Sequence, residues 1–390
     1  MRRKILKYFF TVITLIMVFF ILAPLSSYCD ENLLEETSFF EVRGRVTRIL
    51  DIRDEDIEYS GGSFQDFYQI VEIEIITDGP YKGMLIETEY ALSMSFSEKQ
   101  EDIMLKPGNE VLMVLELDDS GDISQTYIYT VVRDKHMLLL VLIFSVIILS
   151  VGRLKGLKAL ISLVLTVLAV IYILLPLILH GFDPVFVSLW VCVGIAGITL
   201  ILVGGYNKKT LAALIGTSGG LICAGLITQI VGKMAMLTGL GDEESQMLMY
   251  IPQNISFDYK GLLFAGILIG ALGAAMDVGM SLSSAMFEIK EINPGIKKGD
   301  LLKAGMNIGR DMIGTMSNTL ILAYTGGSLQ LMILLMAHEV PFVNIINQDG
   351  YATEVVRSLA GSIGLILTIP ITALAVCFLC ENRYREKERY

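Results

Sequence analysis

The sequence predicts a polytopic α-helical membrane protein that carries a small exported all-β domain, an OB-like barrel or a sandwich. Three observations carry that class. Of the 390 residues 53% are hydrophobic and 18% charged, with a mean hydropathy of +0.61, whereas soluble domains have roughly 25% charged residues. Apolar runs of spanning length recur from His136 onward. The charge is also divided: Asp30 to Lys135 holds 25 acidic against 9 basic residues, and the remainder holds 16 against 21. The overall charge of −11 excludes nucleic acid as the expected partner, because a phosphate backbone selects a basic surface.

Residues 1–28 set Arg2, Arg3, Lys4 and Lys7 around an apolar stretch from Tyr8 to Leu25. This is either a signal peptide or a retained anchor. The run is long for a signal, and Ser27-Tyr28-Cys29 is a poor cleavage site, which favours an anchor. Both readings export the acidic segment behind it. Residues 39–134 then alternate with period two, most clearly in Tyr68–Ile75. Further strand segments are Met84–Leu92, Glu110–Leu117 and Tyr127–Val132. Turn signals separate them at Gly61-Gly62, Asp78-Gly79-Pro80, Lys106-Pro107-Gly108 and Asp118–Gly121. Five short strands suit a small antiparallel barrel or sandwich, whose acidic outer surface is a candidate site for a protein partner.

The membrane domain is expected over residues 136–382. Its apolar runs are 137–151, 157–179, 184–203, 210–231, 261–286, 316–337 and 355–380, seven spans after the N-terminal segment. With the N-terminus inside, the cytoplasmic ends and loops receive 17 Lys and Arg, and the outer short loops only Lys233 and Lys260. The positive-inside rule then places both termini in the cytoplasm of a bacterial plasma membrane, with residues 39–134 outside. Residues 299–312 precede Gly314 and carry Arg310 and Asp311, so they are expected to form a short interfacial or re-entrant helix.

Ionisable residues within spans are costly and mark candidate sites. Asp277 follows a wholly apolar run, and Ser281, Ser284 and Glu288 lie at i+4, i+7 and i+11 from it, on one helical face. In the next span Asp311, Thr315 and Asn318 repeat the i, i+4, i+7 spacing, with Arg310 beside them. If the two faces meet, carboxylate, hydroxyl and amide oxygens converge on a polar seam that suits a hard cation or a proton relay. The alternative is glue between helices, with Asp277 neutralising Arg310. Either version predicts Asp277 within ion-pair or hydrogen-bond reach of Arg310 or of the Thr315/Asn318 face.

Other features are expected to be structural. Gly216/Gly220 and Gly266/Gly270 are GxxxG spacings that let helix backbones approach. Pro176 and Pro370 are expected to kink their spans and Gly326-Gly327 to break one. Cys377-Phe378-Leu379-Cys380 has C-x-x-C spacing but no His nearby, so small apolar filler is the expected role. His180, His338 and Glu339 lie at outer helix ends; two distant His leave a metal site open, and the metal is unassigned. The chain has no H-E-x-x-H, G-x-S-x-G, Walker A or Rossmann pattern, so neither an enzyme nor a cofactor is expected.

The run Gly309-Arg310-Asp311-Met312-Ile313-Gly314-Thr315-Met316-Ser317-Asn318-Thr319-Leu320 resembles the YibE/F family of bacterial membrane proteins. So do Gly270–Asp277 leading to Ser284-Ala285, and Gly361-Ser362-Ile363-Gly364, and the resemblance extends from about residue 40. It implies a bacterial multi-spanning plasma-membrane protein and supplies no reaction, substrate or site residue. The expected function is transport of an ion or small polar solute. The alternative is a non-transporting assembly or sensory protein whose outer domain binds a partner.

Overall fold

The computed structural model describes residues 39–59, 62–92, 104–118, 123–250 and 257–387. The expected anchor over 1–28 lies outside the described residues. The chain divides into two compact units, at residues 29–147 and from 148 onward.

The first unit is a five-stranded antiparallel sheet in the order β3-β2-β1-β4-β5. Its strands are β1 (Phe39–Tyr59), β2 (Gly62–Ile75), β3 (Leu85–Leu92), β4 (Glu110–Leu117) and β5 (Ile123–Val131). β1 is long because it serves two neighbours: Phe39–Arg45 pairs with β4, and Gly44–Tyr59 with β2. Register shifts between Val46 and Arg48 and between Ile49 and Asp51 bend it. The sheet curls until its end strands meet, where Thr88 Oγ1 donates to Thr126 O at 2.9 Å, giving a nearly closed barrel. Alternate residues Val71, Ile73, Ile75, Val111, Met113 and Leu115 fill its interior, each buried to 1% exposure or less. At Gly44 a Cβ would collide with Ile73 and would lie 2.8 Å from Met113 Sδ, so only glycine fits under that core. Gln69 brings a fully buried polar side chain into the interior, and it is satisfied. Gln69 accepts from Leu105 N at 2.8 Å and donates to Leu105 O at 3.3 Å, fastening the loop before β4.

The helical elements are α1 (Asp134–Ala169), α2 (Leu175–Leu179), α3 (Pro184–Gly204), α4 (Lys208–Met234), α5 (Glu243–Met247), α6 (Tyr259–Ile292), α7 (Lys298–Gly327), α8 (Leu329–Ala337), α9 (Phe342–Ile346) and α10 (Asp349–Lys387). Side-chain caps fix several starts: Asp183 accepts from Phe186 N, Asn207 from Thr210 N and Asp258 from Gly261 N. Exposed apolar side chains such as Leu138, Leu140, Val164, Trp190, Leu226, Ile230 and Phe378 face outward as lipid-facing residues do.

α4, α6 and α10 form the centre. The Gly216/Gly220 pair lies against Thr372 and Thr368 of α10, and the Gly220 Cβ position is 2.6 Å from Gly364 O. The expected packing role of that GxxxG is what the structure contains. The second spacing differs. Gly270 meets the Tyr324 hydroxyl, while nothing lies within 4 Å of the Gly266 Cβ position.

The runs 137–151 and 157–179 are two helical segments that meet at a break at Arg153 (φ 48°, ψ −126°), within Asp134–Leu179. Gly156 touches the Ile148 backbone, which eight residues of straight helix, about 12 Å, would forbid; the chain therefore folds sharply there. Among the described residues five stretches are long and apolar enough to cross a membrane, and a sixth candidate is α7 with α8, bent by 58°. Seven separate spans are not resolved. Finally, 299–312 is no short helix, because α7 runs unbroken from Lys298 through Gly314 to Gly327. A single glycine costs a helix only about 1 kcal/mol, and the break comes instead at Ser328, after two glycines in succession. Pro176 follows a π-helical turn, Val170–Leu174, which widens the ladder next to the residue that cannot donate to it. Pro370 lies inside α10.

Candidate functional site

The helical period delivers the two polar faces as expected. On α6 the residues Asp277, Ser281 and Glu288 are exposed and Ser284 is half-buried. The opposite side of α6 is committed to packing. Ser283 is fully buried and donates to Lys209 O at 2.7 Å, and Thr217 donates to Ala275 O at 3.3 Å. On α7 Arg310, Asp311, Thr315 and Asn318 are all exposed. Arg310 Nη1 donates to Asn307 Oδ1 at 3.0 Å, and Thr315 Oγ1 donates to Met312 O at 3.2 Å.

The expected junction between these faces is absent. Among the described residues Asp277 has neither an ion pair nor a hydrogen bond, and Arg310 is satisfied from its own helix. The register of the two antiparallel helices explains this. Gly305 packs on Met286 and Gly270 on the Tyr324 hydroxyl, so Asp277 lies level with residues 314–317 and Arg310 level with 281–284. That separates the charges by about 6–10 Å along the axis. The two faces are neighbours that point outward, not a closed seam.

A second polar cluster lies beyond the sequence expectations. At the start of α10, Arg357 Nη1 and Glu354 Oε1 pair at 2.6 Å, with side chains 25% and 24% exposed. Thr353 is 6% exposed, and its Oγ1 has no partner among the described residues, nor do the Nε of Arg357 and the hydroxyls of Tyr324 and Ser317 on α7. The i, i+3 pair of opposite charges at the edge of an apolar run was the available signal.

No three His, Cys, Asp or Glu side chains come together to hold a metal among the described residues. His180 and His338 make separate local contacts, the first through Nδ1 to Pro176 O at 2.6 Å. Cys192, Cys223, Cys377 and Cys380 form no disulfide among the described residues.

A family model described as YibE/F-like protein matches residues 140–382. The chain belongs to the YibE/F-like family. The match takes in the helical unit, with both polar faces and the Glu354–Arg357 pair. The β barrel, which the resemblance was expected to include from about residue 40, lies outside it. No curated protein and no solved structure matches the chain.

Proposed function

We propose that this YibE/F-like protein is a permease for an ion or small polar solute in the bacterial plasma membrane, with no catalytic step. The observation that carries the reading is the pair of outward polar faces on α6 and α7. Asp277, Glu288 and Asp311 are exposed carboxylates on helices of an apolar bundle. Facing hydrocarbon, each would cost several kcal/mol, so these faces border water or other protein. A water-filled path lined by Asp277, Ser281, Thr315 and Asn318 satisfies them. Full-length protein reconstituted in liposomes should carry at least one member of a panel of ions and small solutes. Asp277→Asn should abolish that flux without impairing insertion; unchanged flux would remove Asp277 from the path.

The alternative is a membrane assembly protein, and the open backbone at Gly266 and Gly273 favours it, since nothing lies within 4 Å of either Cβ position. Small residues on an outward face admit a partner helix closely. In both readings the 17-to-2 division of cations supports cytoplasmic termini and an exported barrel, OB-like in its five curled strands, whose acidic surface is the candidate contact for a protein partner. A reporter fused after Asn207 should read as cytoplasmic, and the reverse result would invert the bundle.

A further inference from the structure

The junction of α7 and α10 gathers donors that have no partner among the described residues. Arg357 engages Glu354 through Nη1 only, while its Nε is buried and without a partner among the described residues. One turn earlier on the same face of α10, Thr353 is 6% exposed and its hydroxyl is equally unpartnered. From α7 comes the Tyr324 hydroxyl, buried against Gly270 and also unpartnered. Tyr324 Cε2 is 3.8 Å from the Cβ position of Gly361, one turn beyond Arg357 on α10.

The chemistry of this set is selective. With Nη1 taken, Arg357 presents its Nε–Nη2 edge, the fork that binds two oxygens of a carboxylate or phosphate side by side. The Thr353 and Tyr324 hydroxyls add two donors to the same helix junction. A cation would meet donors here, with the one carboxylate already engaged. Groups serving only to glue α7 to α10 would be bonded to one another, and Tyr324, Thr353 and Arg357 Nε are not. We propose that Arg357, Tyr324 and Thr353 form a binding site for an oxyanion, a carboxylate or phosphate group, supplied either by a free solute or by a lipid headgroup. Glu354 is a positioning residue that orients the guanidinium. The site is separate from the polar faces of α6 and α7 and does not depend on the transport reading.

The test is thermal unfolding of the full chain in phosphatidylcholine nanodiscs titrated with inorganic phosphate or acetate, against chloride at matched ionic strength. A second arm replaces part of the phosphatidylcholine with phosphatidylglycerol and adds no free anion. A saturable rise in Tm with phosphate or acetate, absent with chloride, identifies a free oxyanion; a rise in the second arm identifies a headgroup. In either case Tyr324→Phe, which keeps the ring over Gly270, should weaken the response about tenfold in half-saturating concentration. The double variant Glu354→Gln/Arg357→Gln, which removes both charges together, should abolish it, and Asp277→Asn should leave it intact. No saturable rise in either arm, or an equal rise in the double variant, would overturn the proposal.

Discussion

The two units of this chain treat polar groups in opposite ways. In the β barrel the buried Gln69 is bonded at both ends to Leu105, and Thr88, 6% exposed, donates to Thr126 O. Several of the barrel's surface charges are paired, Arg48 with Glu72 at 2.7 Å and Arg45 with Glu110 at 3.2 Å across strands, and Lys135 at the start of α1 with Glu110 at 2.7 Å. In the helical unit the buried side-chain atoms without partners among the described residues are those of Ser317, Tyr324, Thr353, Arg357 and Thr372, all on α7 and α10. Buried polar groups are ordinarily satisfied, and leaving one unbonded costs about 1–3 kcal/mol. That contrast is the physical ground for proposing a binding site on α7 and α10, since breaches of local rules collect where function needs them.

The largest expected effect tests whether α4–α10 packing is as tight as that contrast requires. Gly220→Val would drive a side chain into Thr368 and the Gly364 carbonyl. Backbone cannot yield as a flexible side chain does, so a loss of ~3 kcal/mol is expected, the upper end for overpacking, seen as a large drop in Tm in detergent. Gly266→Val has the same GxxxG context and open space around it, so its Tm should stay within the noise of surface substitutions. A substantial loss at Gly266 would instead mean that a partner helix covers the α6 face, which would shift the balance from permease to assembly protein.

How far the sequence could be read follows the same division. The barrel was legible because period-two alternation and turn residues act locally: Gly62, Gly79 and Gly108 fall at strand ends or turns. The faces of α6 and α7 were legible because the helical period is fixed. Their mutual register was not, since it depends on which side chains meet across the helices, Met286 on Gly305 and Tyr324 on Gly270. A charge pair between Asp277 and Arg310 was a reasonable expectation from depth alone, and contacts at either end of the hairpin prevent it. The Glu354/Arg357 pair left a signal, opposite charges three residues apart at the edge of an apolar run, but the part of Tyr324 left none, because it depends on which helix packs beside α10.

A middle-sized effect probes the satisfied half. Gln69→Ala would strip both partners from Leu105, which is 1% exposed. The barrel should lose about 1–3 kcal/mol, the cost of an orphaned buried amide, measurable as a lower urea midpoint for a fragment of residues 39–135. A negligible loss would show that the loop before β4 can leave the barrel freely, and the contrast between the units would weaken.

The smallest effect is electrostatic, and its sign comes from the ion pairs. The hydrogen bond from Arg48, then that from Thr47, holds the Glu72 carboxyl below its ordinary value of 4.5. Hydrogen bonds from Lys135 and then Arg45 do the same for Glu110. In the unfolded chain both carboxyls return to the ordinary value, so in acid the unfolded state takes up protons at a higher pH than the folded one. The stabilisation is therefore complete above about pH 4.5 and is lost as the pH falls through the lowered folded-state values. These pairs sit at the surface, where each is worth little and salt screens it. The fragment's urea midpoint should accordingly decline gently below pH 4.5, and less so in 1 M salt. Glu72→Gln with Glu110→Gln should lower the plateau slightly and flatten the acid slope. A slope that survives this double substitution would assign the acid sensitivity to the rest of the barrel's carboxylates, and the paired charges would then be ornaments of the surface without a measurable part in holding the barrel together.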